Sequence, residues 1–458
     1  MRFASPMRRR LCATAAAALM FSAMPALDAR AQEVSLIRDT ETERLIRTHL
    51  DPLLRVAALS PSDVEVQIVN NPGINAFVSE GQNMFLNTGL FMELETPNQL
   101  KGVLAHETGH MADGHLVRMR EGMRVATIPM LLSVAAGIAV MAVGGGDAGM
   151  AVIMGGQNIA MADFLAFTRT QESAADQAGI RYLTATEQSG AGMLEVFRRF
   201  QQEEILSDRY RDPFSLSHPT AGSRLVDLEN LVVNSPYYGR TDTQEDQHAY
   251  DMVRAKLRGY TERPDVVFRR YPPNDTSQPA RYARTIAYLR QPDMNSALGE
   301  IDSLLAEEPD NPYFLEVKAE VNVQMGRVTA GIEPYRRAVS LLPDAPLMHV
   351  ALGAALLGTE DPRHLEEAKA ELQRALDLEP DYSLTWYYLA QAYGREGNTS
   401  QAQLATAERY FAVGSYPEAM QFAFRAQTRL PRGSTEWQRA SDIMAIAQAR
   451  MPNNRNRN

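Results

Sequence analysis

The sequence predicts a mainly α-helical chain in two parts, with helices around a small β-sheet in front and a solenoid of helical hairpins behind. Three observations carry this. Apolar residues recur at helical spacing over 41–54, 98–120 and 169–183, the 3.6-residue period of helices that bury one face. Two short strand-forming runs, 64–69 and 84–86, flank the turn signal Asn71-Pro72-Gly73. In the rear, Pro309, Pro343, Pro380 and Pro431 close Ala- and Leu-rich segments at gaps of 34, 37 and 51 residues. A period near 34 belongs to the helix–turn–helix repeat of tetratricopeptide type.

The length of 458 residues is too great for one ordinary domain. Hydrophobic residues make up 45% and charged residues 22%, a composition that supports real cores. The formal net charge of -10 argues against binding a phosphate backbone, so no nucleic-acid partner is expected.

Residues 1–31 read as an export signal. Arg2, Arg8, Arg9 and Arg10 precede the apolar run 11–26, and Ala29-Arg30-Ala31 forms a small-x-small cleavage site. Cleavage near Ala31 removes five arginines and one aspartate and takes the net charge to -14. It also removes Cys12, the only cysteine, so the mature chain has no disulfide and no thiol nucleophile. A cysteine-free chain suits an oxidising compartment, and the periplasm is the expected location.

Beyond the signal, residues 32–260 form the front domain, 261–280 a linker with prolines at 264, 272, 273 and 279, 281–450 the repeats, and 451–458 a tail. Trp386-x-x-Leu389-Ala390-x-x-Tyr393 nearly matches the opening of the repeat, and Gly414-Ser415-Tyr416-Pro417 resembles its inter-helix turn. One such hairpin cannot bury its apolar face alone. Stacked neighbours do so together and leave a concave groove. The spacing suggests about four repeats.

The chemistry concentrates in His106-Glu107-x-x-His110. Residues four apart share one helix face, so both imidazoles point at one ion. Zinc suits such neutral nitrogen ligands and tolerates an open position. Glu107 beside them can take a proton from water that the ion acidifies. A third protein ligand is required, and Glu172 and Asp176, one helical turn apart, are the candidates. Spacing leaves open which carboxylate binds and which orients an imidazole. His115 falls about 140° from His110 on a continuous helix and is read as no ligand.

H-E-x-x-H followed by E-x-x-x-D resembles the zinc protease family that contains HtpX and the CAAX-prenyl endopeptidases. The export signal and the repeats place the resemblance with its soluble, exported branch. It implies a zincin-type metalloprotease domain ahead of a tetratricopeptide α-solenoid, with one zinc ion per chain. His106, His110 and Glu172 are then the metal ligands, Glu107 the catalytic acid or base, and Asp176 a partner behind the ligands. Asn75, Ala76 and Phe77 resemble the family's edge strand beside the cleft, which holds a substrate backbone by strand addition. Ser217-His218-Pro219 with Arg224 resembles its His-Pro loop. There His218 either reaches the metal and holds the enzyme inactive, or steadies an oxyanion.

One stretch stands apart. Residues 125–143 and 148–162 carry no charge and are separated by Gly144-Gly145-Gly146-Asp147. A helical hairpin packed over the cleft is the expected form. Peripheral insertion into a membrane surface and full spanning are the alternatives.

Three functions fit the sequence. The first is an endopeptidase, for which the resemblance implies unfolded or stalled outer-membrane proteins as substrates and the barrel assembly machinery as a partner of the repeat groove. The second is a non-proteolytic chaperone or scaffold acting through that groove, and the third a peptidase of cell-wall peptides.

Overall fold

The computed structural model describes residues 35–79, 82–142, 146–206 and 222–451. The export signal 1–31, Gly81, Gly144, Gly145, the Ser217-His218-Pro219 loop and residues 452–458 lie outside the described residues.

Helix α1 (Thr40–Val56) starts where Asp39 accepts a hydrogen bond from the Thr42 amide at 2.8 Å. Its face of Ile46, Leu50, Leu53 and Leu54 is fully buried. Four strands form: β1 (Leu36–Ile37), which the sequence reading did not mark, and β2 (Glu65–Val69), β3 (Ala76–Ser79) and β4 (Asn83–Asn87) near the expected runs. They lie in the order β1-β2-β4-β3, with β2 parallel and β3 antiparallel to β4. Strand β3 therefore sits at the sheet edge. Its alternation puts Ala76 in the core and leaves Phe77 exposed, stacked on its cross-strand partner Phe85 at 4.9 Å.

After the short α2 (Thr88–Glu93), helix α3 (Pro97–Ala112) begins with Pro97 in its first turn and Thr96 accepting from the Gln99 amide. The expected helix 98–120 is two helices. The chain breaks at Asp113-Gly114, where Gly114 adopts the left-handed φ of +63° that only glycine takes readily, and α4 (His115–Ala142) starts anew.

Helix α5 (Gly146–Ala185) is one unbroken element of 40 residues, about 60 Å long. Helices α6 (Ala191–Leu206) and α7 (Gly222–Val233) complete the front domain. The apolar hairpin forms as α4 against α5, with Gly156 so close that a Cβ there would meet Ser133 at 2.1 Å. Part of its apolar surface faces outward. Leu131, Leu132, Ile138, Met154 and Ile159 are each more than half exposed. The physical reason is that α5 runs straight from the hairpin into the core without a turn that would fold it back. Among the described residues, no helix is long and apolar enough to cross a membrane.

Helix α8 (Gln244–Thr261) belongs to both parts. Tyr250, Val253 and Leu257 sit in the core of the front domain, whereas Met252 joins the core of the first repeats. The expected linker is not a spacer. It holds α9 (Pro264–Arg270) and the start of α10 (Gln278–Arg290), against which α8 packs. Pro264 and Pro279 stand in the first turns of these helices, where a missing N–H loses no bond.

Four further helix pairs follow the α10 hairpin, whose second helix is α11 (Met294–Glu307). They are α12 (Pro312–Gln324) with α13 (Val328–Leu341), α14 (Pro346–Gly358) with α15 (Leu365–Leu378), α16 (Ser383–Arg395) with α17 (Thr399–Ala412), and α18 (Tyr416–Gln427) with α19 (Thr435–Arg450). The described residues thus hold five pairs rather than four. Their first helices begin at 278, 312, 346, 383 and 416. The one long step contains the extra 3-10 turn Pro362–His364. Pro431 lies between α18 and α19, inside a pair, which explains the irregular final proline gap.

The buried His49 of α1 faces Lys101, Asp242 and Asp246. Burial and the Lys101 ammonium push its imidazole down to about 4, although the two aspartates pull the other way. An unfolded histidine titrates near ~6.5. As pH falls below that, the unfolded chain takes up a proton that the fold refuses, so stability is lost between pH ~6.5 and 4. At pH ~4.5 this penalty is about 2–3 kcal/mol. Urea unfolding at pH ~7 and ~4.5 is expected to show a smaller acid loss in His49→Gln than in the parent, by about that amount.

Candidate metal centre

Helices α3 and α5 approach closely enough to share atoms across their backbones. A Cβ on Gly109 would lie 2.9 Å from the Ala175 carbonyl oxygen and 3.0 Å from its Cα. One on Gly179 would lie 3.2 Å from the His106 amide nitrogen. This contact brings the carboxylates of α5 against the imidazoles of α3. His106 Nε2 and His110 Nε2 stand 3.1 Å apart. Glu172 reaches both, at 3.5 Å from His106 Nε2 and 3.3 Å from His110 Nε2. The contacts use different oxygens, Oε2 toward His106 and Oε1 toward His110, at spacings near the ~3.3 Å between tetrahedral ligands of one ion.

The neighbours fix the orientation of the ligands. His106 Nδ1 faces Asp176 Oδ1 at 3.0 Å. A proton held there leaves Nε2 with its lone pair aimed toward His110 and Glu172. Arg224, from α7, donates to both Asp176 oxygens at 2.7 and 2.9 Å and sits 3.1 Å from Glu172. Phe197 of α6 packs edge-on to the His106 ring at 5.3 Å, and the Arg224 guanidinium lies over its other contact surface at 5.3 Å.

Electrostatics agree with the geometry. Glu107, Glu172, Asp176 and Arg224 are all at most 5% exposed. Buried carboxylates need cationic or hydrogen-bonding neighbours, and Arg224 and His106 serve Asp176 and Glu172 in this way. Burial opposes charge on His106, yet Asp176 and Glu172 outweigh it and raise the imidazole to about 9. Burial likewise opposes charge on Asp176, but His106 and Arg224 hold its carboxyl below the usual range. Two imidazoles and a carboxylate that converge in a buried place are a donor set that fits a divalent cation. His106, His110 and Glu172 are the residues that could hold it.

The structure thus brings together His106, Glu107, His110, Glu172, Asp176 and Arg224, and separates the roles of the two carboxylates that spacing left open. His218 lies outside the described residues. Strand β3, with Ala76 and Phe77, packs against α3. His115, read from the sequence as a surface or core histidine and not a ligand, is outside the His106, His110 and Glu172 group. It is buried, with its Nδ1 2.9 Å from Nδ1 of His110. The helical-wheel angle does not apply, because α3 ends at Gly114 and a new helix carries His115 back to the site. Asp113-Gly114 was the signal for that break. Phe197 carried no signal in the sequence.

The comparisons with known proteins point the same way. Residues 40–232 match peptidase family M48, and residues 371–404 match the tetratricopeptide repeat. The beta-barrel assembly-enhancing protease of Escherichia coli strain K12 is 26% identical over 385 residues, covering 81% of this chain and 75% of that one. The protein of the same name from Yersinia pestis is 27% identical over 414 residues, covering 88% and 82%. A putative beta-barrel assembly-enhancing protease of Vibrio cholerae is 24% identical over 405 residues, covering 85% and 81%.

Two substitutions test the geometry. In an open helix, Gly109→Ala would be favourable by about 1 kcal/mol. Here the added methyl meets the Ala175 backbone, so a net loss of about 1–3 kcal/mol is expected in denaturant unfolding, together with metal loss on dialysis. Asp176→Asn keeps the shape but removes the charge behind His106. Competition with a chelator is expected to show metal affinity lowered about 10–100-fold.

Proposed function

From the premise that this chain is a metalloprotease, a peptidase family M48 domain joined to tetratricopeptide repeats, we propose a zinc-dependent endopeptidase of the periplasm that cuts misassembled outer-membrane proteins and holds such proteins, or their assembly machinery, through its repeats. The observation that carries the reading is the convergence of His106, His110 and Glu172, all buried, on one point between two helices. Zinc fits two imidazoles and one carboxylate better than magnesium or calcium does, since those prefer all-oxygen shells. Such an ion supplies Lewis-acid activation of water and of the scissile carbonyl.

The remaining roles fall to the chain's own side chains. Glu107, buried in the same helical turn as His106, takes the proton of the attacking water and returns it to the leaving amine. Asp176 and Arg224 hold His106 and Glu172 in place. The edge strand β3 carries Phe77 outward beside α3 and offers its backbone to an extended substrate. Asn75 and Ala76 set the entry of that strand. The substrate class and the periplasmic location rest on the names of the relatives and on the signal-like residues 1–31.

The test is Glu107→Gln in the exported chain. Cleavage of an unfolded protein such as casein is expected to fall at least about 100-fold, with metal content unchanged and uncut envelope proteins accumulating in cells. Full cellular function in that variant would instead favour a scaffold acting through the repeats. His218→Ala belongs in the same assay. Faster cleavage supports a latch, and an inactive enzyme supports a catalytic part for this histidine.

A further inference from the structure

A cavity of about 670 Å³ lies far along the chain from the metal ligands, between the start of the front domain and the repeats. Its walls come from residues 37–39, from α8, and from α12, α14 and α16, the first helices of three successive pairs. One end is a buried charge cluster. The ammonium of Lys256 sits 2.5 Å from Asp39, 3.3 Å from Glu41 and 3.5 Å from Glu316. Glu320, one turn beyond Glu316 on α12, accepts a hydrogen bond from the Tyr260 hydroxyl.

Arg38 at the rim does not balance this cluster. Its guanidinium is matched by Glu43 and Glu379, each at 2.7 Å, and lies over the Tyr382 ring. Four carboxylates thus share one ammonium. Burial and the neighbouring carboxylates, only partly offset by Lys256, push Glu316 up to about 7.

A second observation is independent of the charge count. Tyr335 lines the same cavity and is 6% exposed. Its hydroxyl is surrounded by Glu320, Glu316 and Tyr388, yet makes no hydrogen bond among the described residues. The hydroxyl faces the cavity, where a bound group can reach it. Opposite these groups, Leu347, Val350, Ala351 and Leu384 give an apolar wall.

We propose that this cavity receives an arginine or lysine side chain of a bound polypeptide. The cationic head meets Glu316, Glu320 and the ring face of Tyr388, and the aliphatic stem lies along Val350 and Ala351. The Tyr335 hydroxyl donates to a carboxylate that the cation draws into line. The inference deepens the polypeptide-binding role proposed for the repeats and rests on it. It adds a selection rule: segments with a basic residue between apolar ones are held, and acidic ones are turned away.

The test reads binding directly, in the full exported chain carrying Glu107→Gln so that no peptide is cut. Fluorescence anisotropy compares a short labelled peptide of alternating leucine and arginine with the same peptide carrying citrulline, which keeps the shape of arginine without its charge. Citrulline is expected to weaken binding about tenfold or more. Glu316→Gln with Glu320→Gln should weaken the arginine peptide about as much and abolish the difference between the two peptides. Tyr335→Phe, which keeps the packing, should weaken the arginine peptide several-fold.

Equal affinity for the two peptides overturns the proposal, and so does a preference for arginine that survives all three substitutions. Absence of binding by either peptide overturns it as well. Since the readout is affinity, the outcome is separate from that of the cleavage assay.

Discussion

The close approach of α3 to α5 is the constraint on which the functional half depends. Two glycines, one on each helix, let backbone meet backbone. Side chains of ordinary size at Gly109 and Gly179 would push the helices apart. The three side chains that could hold a metal come from two helices, and such ligand atoms must converge within a few tenths of an ångström. The short distance between the helix axes sets that convergence, and Asp176 and Arg224 then refine it by holding each ligand in one orientation. The glycine inside the H-E-x-x-H motif is therefore a packing residue as much as a spacer.

The second organising element is α8. A helix with apolar residues on two sides is buried on two sides, and α8 contributes to the core of the front domain and to that of the repeats. Its polar groups tie the same joint. Tyr250 donates to the Phe91 carbonyl, and Lys256 draws in Asp39 and Glu41 from the start of α1. Arg38 bonds Glu379 and Arg44 bonds Asp344, so the first helix of the front domain also grips the repeats. These partners are separated by up to 341 residues. The two parts form one packed body, and the cavity described above exists only because they do.

Much of this was legible in the sequence, for physical reasons. The H-E-x-x-H spacing needs only one helix, so His106, Glu107 and His110 could be placed from local geometry. The proline period gave the repeats, because a proline at the end of each pair is a local signal. Glu172 and Asp176 could be named as a pair but not told apart, since that distinction depends on where α5 lies across α3. The place of His115 beside His110 was not legible, because a helical wheel assumes a continuous helix and the chain breaks at Asp113-Gly114. The linker was misjudged because prolines in first turns start helices as readily as they break them. No local pattern encodes the cavity, since its charges come from three distant segments whose meeting depends on the packing of α8.

Helix α5 joins two features that the sequence presented separately. The exposed apolar residues Met154 and Ile159 and the buried Glu172 and Asp176 lie on one unbroken helix. Helices are stiff along their axes, and their hydrogen bonds do not lengthen without cost. Toward the other end of α5, Glu172 and Asp176 face His106. The contact of Gly109 with Ala175 and the ion pairs of Arg224 clamp the helix at that point. The exposed apolar residues and the carboxylates that face His106 are therefore held by one helix, fixed where those carboxylates meet α3.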